Sequence, residues 1–501
     1  MEHEGKFVKT KQEIKKAITD YYENVDNNKD TEALNFIEMF PLEPDSQPET
    51  QVIPDGKLEP LVNLQSVQKA IKKQKTEKTG GPDNTTAECF KHLPNHMIDK
   101  LKDIINAAIT LGITPMAWQN NFVKLIYKKN EATKIENYRP ISLLNTIFKI
   151  WENILYEKLK DQLNLKQVIH IAQFGSQKEK GATDAILAIN LLQENNTSES
   201  LYTATIDLSK AYNRVDRTRL WHKLETLGVT HNLVSLLKST YEGYSETYKI
   251  GADTTSPLKL KKGLRQGSVL SPILFILYVN DMLKEIQKTG EGAVTVGLSD
   301  SDRSAGLMFV DDLHLMAQSI EGLKKIIITV IKRCRKEGLI INLKKSMLLL
   351  TKKQQTELQA DIEACPILKH FDQKTKTTYL GAITSPGKIP VYKHIQQRLA
   401  KAHSVLHEMT LRGFHVNKLG ISTVTKIIKS TLIPILSYAM EAFPLKENDY
   451  QALDLFLDQV IEKTTNNRSE IKQWNHFELQ LTKPSLRIKK QKNQHDDKNQ
   501  T

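Results

Sequence analysis

The sequence predicts an α+β fold with a helical C-terminal portion, and three observations carry this. Apolar runs rich in β-branched residues end in, or surround, acidic residues at 201–208 and 307–317, the pattern of buried strands. Other stretches, among them 97–111, 271–286 and 320–337, place apolar residues at helical spacing. From about 391 to 461 the helical period dominates, with Pro434 expected to bend or break it.

In chain order, Glu13–Tyr22 reads as a short helix, followed by a loose linker containing Pro41, Pro44, Pro48 and Pro54. From Val62 the spacing is helical until Thr79-Gly80-Gly81-Pro82-Asp83 interrupts it. Met97–Leu111 is a helix with Ile104, Ile105, Ala108 and Leu111 assigned to one face, and FVKLIY (122–127) is a strand. Helices are expected at Ile141–Leu159, Thr183–Leu192, Leu220–Tyr241, Ser271–Ile286 and Ile320–Glu337. LYTATIDL (201–208) reads as a buried strand, LMFV-DD-LHLMA (307–317) as two short strands around an acidic tip, and GLIINL (338–343) as a further strand. Tyr241, Tyr244 and Tyr248 read as packing residues, and beyond about 463 the chain turns polar.

Composition narrows the class. The 501 residues carry 71 Lys+Arg against 58 Asp+Glu, a formal net charge of +13, which favours a polyanionic partner. Hydrophobic residues at 39% exclude wholesale disorder. Cys89, Cys334 and Cys365 are too few and too scattered for a disulfide framework or a Cys-rich zinc module. The charged N-terminus lacks a signal-peptide core, and the most apolar run, Ile273–Val279, is too short to cross a bilayer. A nuclear or cytoplasmic protein, not a secreted one, is expected. The histidines show no H-E-x-x-H spacing, and KTGGPDN lacks the pattern of a phosphate-binding Walker loop.

The chemistry concentrates at strand ends. Asp207 follows YTATI, and Asp311-Asp312 follows LMFV. A carboxylate at the end of a buried strand is costly unless paired or metal-bound, and adjacent aspartates repel each other. Three such carboxylates on neighbouring strands would make an oxygen-rich site suited to Mg²⁺. An isolated Asp-Asp pair also reads as a plain hairpin turn.

Around these residues stands an ordered series: TGGPDN (79–84), W-x5-K-x-I-Y-K-K (118–129), NYRPISLL (137–144), QFGSQKEKGATDAI (173–186), IDLSKAYNRVD, GLRQGSVLSPILF, FVDD, GLIINLKKS, TYLGAIT (378–384) and STLIPILSYAMEAF (430–443). In this order and spacing, from about Ser66 to Phe443, the sequence resembles reverse transcriptases of LINE-type (non-LTR) retrotransposons. The resemblance implies a right-hand polymerase fold: an N-terminal extension, partly disordered (1–60), fingers (61–200), a palm with an antiparallel sheet and one finger-like excursion (201–385), a helical thumb (386–462) and a basic polar tail (463–501). It implies RNA-directed DNA polymerase activity, nucleotidyl transfer of dNTPs onto a primer 3′-OH.

Carried over residue by residue, the resemblance makes Asp207, Asp311 and Asp312 the ligands of two Mg²⁺ ions, with Mn²⁺ as an alternative. Lys124 and Arg139 would clasp the triphosphate, Tyr212 would exclude a ribose 2′-OH, and Gln266-Gly267 would pack beneath the templating base and incoming nucleotide. Lys345 would give a proton to pyrophosphate, and Tyr379, Leu380 and Gly381 would form the primer grip. The implied partners are an RNA template, a DNA primer or nicked target DNA, and dNTPs; no membrane is implied and the oligomeric state stays open. Two departures stand out: Asn84 replaces a glycine of the GPDG-type segment, and FVDD replaces the more usual FADD. The flanks are expected to be too short for an endonuclease domain, so a fragment, a degenerate copy or an element that borrows nicking remain alternatives. A catalytically silent RNA-binding remnant is the rival reading.

Overall fold

Two five-stranded sheets organise the chain in a computed structural model, which describes residues 60–465 except 129, 195, 197–200, 290–293, 296–302 and 388, together with 2–3, 6–23, 31–39 and 488. Most of the proline-containing linker and of the polar tail with RIKKQK lies outside the described residues. The elements used below begin with α1 (Lys11–Glu23), α2 (Leu64–Lys72), α3 (Asn95–Leu111), β1 (Asn121–Tyr127), β2 (Tyr138–Leu144), α4 (Thr146–Gln162), α5 (Ala182–Glu194) and β3 (Tyr202–Asp207). They continue with α6 (Arg217–Thr226), α7 (His231–Ser239), β4 (Ser245–Ile250), α8 (Ser271–Lys288), β5 (Gly306–Phe309), β6 (Asp312–Ala317) and α9 (Ile320–Glu337). Last come β7 (Met347–Leu349), β8 (Asp372–Lys374), β9 (Thr377–Tyr379), β10 (Ala382–Thr384), α10 (Val391–Leu411) and α11 (Glu447–Thr465).

The central sheet runs β5-β6-β3-β7-β8, antiparallel except for the parallel β7/β8 pair. Its register separates two faces. Ile206 pairs with Leu313 and Ala204 with Leu315, and these residues join the main core with the apolar sides of α8 and α9. The alternate positions place Asp207 opposite Asp312, Thr205 opposite His314 and Thr203 opposite Met316 on the other face. One face is thus reserved for helix packing, and the other receives the acidic strand ends.

The second sheet is β2-β1-β4, with β1/β2 antiparallel and β1/β4 parallel, extended by the short strands Asp253–Thr254 and Leu258–Lys259. Helix α1 covers this sheet: Ala17, Ile18 and Tyr22 are buried with Val123, Ile135 and Tyr248, and the Tyr22 and Tyr248 rings stack at 4.6 Å. A strand from within 201–385, β4, therefore completes the sheet built by β1 and β2 from 121–144.

A separate helical core follows the sheets. Ile395, Ala402 and Leu406 of α10 pack with Val424, Ile428, Leu432 and Leu436 and with Leu453, Phe456 and Leu457 of α11. Pro434 is accommodated by a π-helical turn, Ile428–Leu432, before the short helix Ile433–Ser437.

Several expectations are corrected. Ile141–Leu144 belongs to β2, so helix α4 starts at Thr146, with Asn145 at its N-cap position. The single helix expected over Leu220–Tyr241 is two, split at Gly228 (φ 92°) with Thr230 capping the second. GLIINL is no strand: Ile341 makes one isolated bridge to Leu208, and the strand lies later, at Met347–Leu349. In α3 the buried residues are Ile98, Ile105, Ala108 and Ile109, while Ile104 and Leu111 face solvent. Tyr241, Tyr244 and Tyr248 are buried packing residues as expected.

Candidate active site

The β3/β6 register brings the strand-end carboxylates together. Asp207 and Asp312 are direct partners across the antiparallel ladder, so their side chains leave the same face of the sheet. Asp311 sits beside them in the two-residue link between β5 and β6, whose flanking residues Phe309 and Asp312 pair. Burial, reinforced by Asp311 and Asp207, pushes the Asp312 carboxyl up to about 7 against the opposing charge of Lys345. Asp311 is also raised, by burial foremost and by Asp207, with Arg139 and Lys345 acting the other way.

NLKKS pins Asp207 at three points. The Asn342 amide donates to the Asp207 carbonyl at 2.8 Å, the Asp207 amide donates to Ser346 Oγ at 3.1 Å, and Lys345 Nζ reaches Asp207 Oδ2 at 3.3 Å. Ser346, the last residue of GLIINLKKS, is fully buried, and its support of Asp207 shows only in the fold.

The FVDD turn is strained and held. Val310 has φ 61°, a region that a β-branched residue enters at a cost of about 1–3 kcal/mol. The buried Gln173 carboxamide oxygen accepts from the Val310 amide at 2.9 Å and from the Gly175 amide at 3.0 Å. Gly175 lies so close that a Cβ on it would stand 2.3 Å from Val310 Cγ2. Phe174 donates to the Met308 carbonyl and Met308 to that of Ala172, so QFG forms a brace beside β5.

On the second sheet, Lys124 pairs with Ile141 and Ile126 with Arg139, which puts Lys124 and Arg139 on one face. Arg139 acts on Asp311, whereas Lys124 is exposed in mid-strand. Lys128, which the sequence reading passed over, lies beyond β1 within electrostatic reach. Burial, Arg139 and Lys345 lower its pKa, while Asp207 and Asp311 pull it the other way.

Tyr212 and Gln266-Gly267 are joined to each other. The Leu264 amide donates to the Tyr212 carbonyl at 2.8 Å, and Gln266 Nε2 donates to Asn213 Oδ1 at 3.0 Å. The Ser142 amide of β2 donates to the Gln266 carbonyl at 2.7 Å, so this loop ties β2 to the 211–214 segment that follows β3. Gly267 (φ 110°) brings its Cα side against Ser142, where a Cβ would stand 3.0 Å from the carbonyl oxygen. The Tyr212 ring stacks on Phe275 at 4.8 Å, and burial and Asp311 raise its hydroxyl pKa. Behind the loop, Arg265 is fully buried among the rings of Phe148, Tyr241 and Tyr244, at 4.9, 4.6 and 4.2 Å.

Tyr379, Leu380 and Gly381 lie at the β9/β10 hairpin, and the Tyr379 hydroxyl donates to the Asp312 carbonyl at 3.1 Å. Asn84 has φ 56°, which asparagine tolerates far better than most residues, so its replacement of a glycine keeps the turn. The adjacent Gly81 packs against Asn145, 2.4 Å from where a Cβ would stand.

The donor set has the chemistry of a divalent-cation site: hard carboxylate oxygens, two of them kept from ionising by burial first and by neighbouring carboxylates second, with the Lys345 ammonium bonded to the third. Among the described residues, no three carboxylate, imidazole or thiol side chains converge closely enough to hold an ion as they stand. Neither is any helix among the described residues long and apolar enough to cross a membrane.

An antiparallel sheet with facing acidic strand ends, a second sheet bearing cations beside it and a helical unit after it define the right-hand polymerase fold. Residues 126–384, more than half of the chain, match the model of the reverse transcriptase (RNA-dependent DNA polymerase) family, and the chain belongs to that family. A probable RNA-directed DNA polymerase from transposon BS of Drosophila melanogaster is 22% identical over 81% of this chain and 45% of its own length. The RNA-directed DNA polymerase from the Drosophila melanogaster mobile element jockey is 25% identical over 76% of this chain and 41% of its own. These are the LINE-type relatives that the motif order implied, and the chain spans less than half the length of each. Among solved structures, the RNA-dependent RNA polymerase of a human picobirnavirus aligns with a TM-score of 0.47 at 13% identity, over 90% of this chain and 74% of that one. Apo telomerase from Candida tropicalis aligns at 0.40 and 15%, over 75% and 70%.

Proposed function

We propose that this chain is an RNA-directed DNA polymerase that adds dNTPs to a primer 3′-OH on an RNA template. The observation that carries the reading is the cross-strand pairing of Asp207 with Asp312, with Asp311 at the adjoining turn. Family members use divalent metal; here Asp207 and Asp311, with Asp312 in a lesser part, would hold two Mg²⁺ ions. When bound, such ions lower the pKa of the attacking hydroxyl and neutralise charge on the leaving pyrophosphate.

The rest of the work falls to the chain itself. Arg139, with Lys124 and Lys128, offers positive charge to a triphosphate lying over the carboxylates. Lys345 would leave Asp207 for the pyrophosphate, where an ammonium can give up a proton. Tyr212, fixed by its stack on Phe275, would exclude a ribose 2′-OH. Gln266 and Gly267 form a floor tied to β2 and to the 211–214 segment, and the 379–381 turn would guide the primer end. In this reading 61–200 with β4 form the fingers, the remainder of 201–385 the palm, and 386–462 the thumb; the work is done in nucleus or cytoplasm. A DNA primer or nicked target would supply the 3′-OH. The rival reading of a silent remnant draws no support from the relatives, which are named as RNA-directed DNA polymerases.

Extension of oligo(dT) on poly(rA) with Mg²⁺ tests the proposal. Incorporation of dTTP is expected, and none by folded protein would overturn it.

A further inference from the structure

The β9/β10 turn passes through Leu380 (φ 47°) and Gly381 (φ 81°), and both of its carbonyls are captured by the helical unit that follows. The Tyr438 hydroxyl donates to the Leu380 carbonyl at 2.6 Å, and the Arg398 guanidinium donates to the Gly381 carbonyl. The Tyr438 ring lies over Gly381, so that a Cβ there would be 3.3 Å from Cε1. The Arg398 guanidinium carbon in turn stands 5.0 Å from the centre of that ring.

Arg398 is 5% exposed, and burial and the Tyr438 phenol are what act on its charge. Burying a guanidinium is costly, and a packing role would be met by an apolar side chain. What the charge adds here is a strong donor to the Gly381 carbonyl, with Nη2 also meeting the neighbouring Gln397 Oε1 at 3.0 Å. Tyr438 is itself fixed: its carbonyl accepts from His394 Nε2 at 3.2 Å, and the His394 ring stacks on Phe443. On the far side of the turn, Tyr379 donates to the carbonyl of Asp312.

We propose that Arg398 and Tyr438 are positioning residues, a two-point latch by which the thumb sets the 380–381 turn and, through Tyr379, the start of the strand that bears Asp312. The inference rests on the polymerase reading above, in which this turn guides the primer end. It predicts a defect in the rate of primer extension that leaves nucleotide affinity alone, because the latch touches none of the residues assigned to the nucleotide.

The test compares wild type with Tyr438→Phe, which keeps the ring, and with Arg398→Met and Arg398→Lys. Single-turnover extension on saturating poly(rA)/oligo(dT) is read beside hydrogen exchange of the 377–384 amides. Loss of one hydrogen bond is expected to slow extension, and to speed hairpin exchange, about fivefold in Tyr438→Phe. Arg398→Met should lose more, Arg398→Lys should recover part of it, and half-saturation by dTTP should stay unchanged. Wild-type rate and exchange in Tyr438→Phe and Arg398→Met overturn the latch, and so does a loss confined to primer–template affinity. Should wild type extend no primer, the polymerase reading falls, and hairpin exchange alone still decides the latch. If Arg398→Met fails to fold, Tyr438→Phe carries the test.

Discussion

The turns at 310–311 and 380–381 are built alike and anchored differently. Each is a two-residue hairpin link whose first residue is a branched aliphatic in the left-handed region, Val310 at 61° and Leu380 at 47°, where glycine is the ordinary choice. The first is braced by Gln173 and Gly175, from the segment preceding the palm, and carries the charge of Asp311. The second carries no charge and is held by Arg398 and Tyr438 of the C-terminal helical unit. Strained backbone persists where its neighbours over-determine it. Where those neighbours reside decides what can loosen the turn: for one a brace beside the sheet, for the other a helical unit with a core of its own.

The comparison breaks most sharply at the charge. Asp311→Ala should lower the extension rate at least about 10³-fold while primer–template binding by filter retention holds, since a carboxylate facing the reacting phosphate acts on the transition state. No charge change at the second turn can match this. Gly175→Ala should come next: its Cβ would meet Val310 Cγ2 and the Val310 nitrogen, and overpacking of this kind costs about 1–3 kcal/mol, read as a lower urea midpoint. Gly381→Ala meets only the edge of Tyr438, but must take φ 81°, and a smaller loss is expected there.

Acid should distinguish the two anchors. Burial lowers His394, which donates to the Tyr438 carbonyl, to about 4, and its Nδ1 has no partner in the fold. The unfolded chain takes up the proton near pH 6.5, whereas the fold resists until about 4. Stability from this group is therefore intact above pH 6.5 and falls as pH drops toward 4, by up to about 1.4 kcal/mol per pH unit. Denaturation of His394→Gln between pH 7 and pH 5 should show a flatter acid slope than wild type. The smallest effect belongs to the strained residues themselves. Val310→Gly and Leu380→Gly should each change stability by no more than about 1 kcal/mol, as relief of strain offsets glycine's entropy. Raised urea midpoints would show both turns to be strained.

The outline of the fold was legible, because β3, the β5/β6 hairpin, α8 and α9 are long or strongly patterned. Asp207, Asp311 and Asp312 were legible for the same reason, as acidic residues ending apolar runs. Ile141–Leu144 was misread because NYRPISLL runs into helix α4 without a break in apolarity, and only pairing with β1 makes it a strand. The split between α6 and α7 hinged on Gly228, which a periodic pattern can span. Gln173, Ser346, Arg398 and Tyr438 act through partners 137, 139, 17 and 58 residues away. No local spacing encodes a carboxamide oxygen or a guanidinium aimed at a distant backbone. Lys128 was within view in the YKK run, but its reach toward Asp207 and Asp311 required the direction in which β1 leaves its sheet.

The opposition of Asp207 and Asp312 across the ladder also bears on which lengths of chain this protein tolerates. Side chains alternate between the faces of a strand, so removing one residue from the start of β6 would send Asp312 to the helix side and Leu313 to the acidic side. Substitutions there can be graded, but an insertion or deletion of one residue is all or none. The same parity holds Leu313 and Leu315 in the core, so a shifted strand would lose its packing together with its chemistry. A copy that has gained or lost a single codon within this strand, its reading frame otherwise intact, would thus betray itself by an unfolded central sheet, not by a folded, silent one.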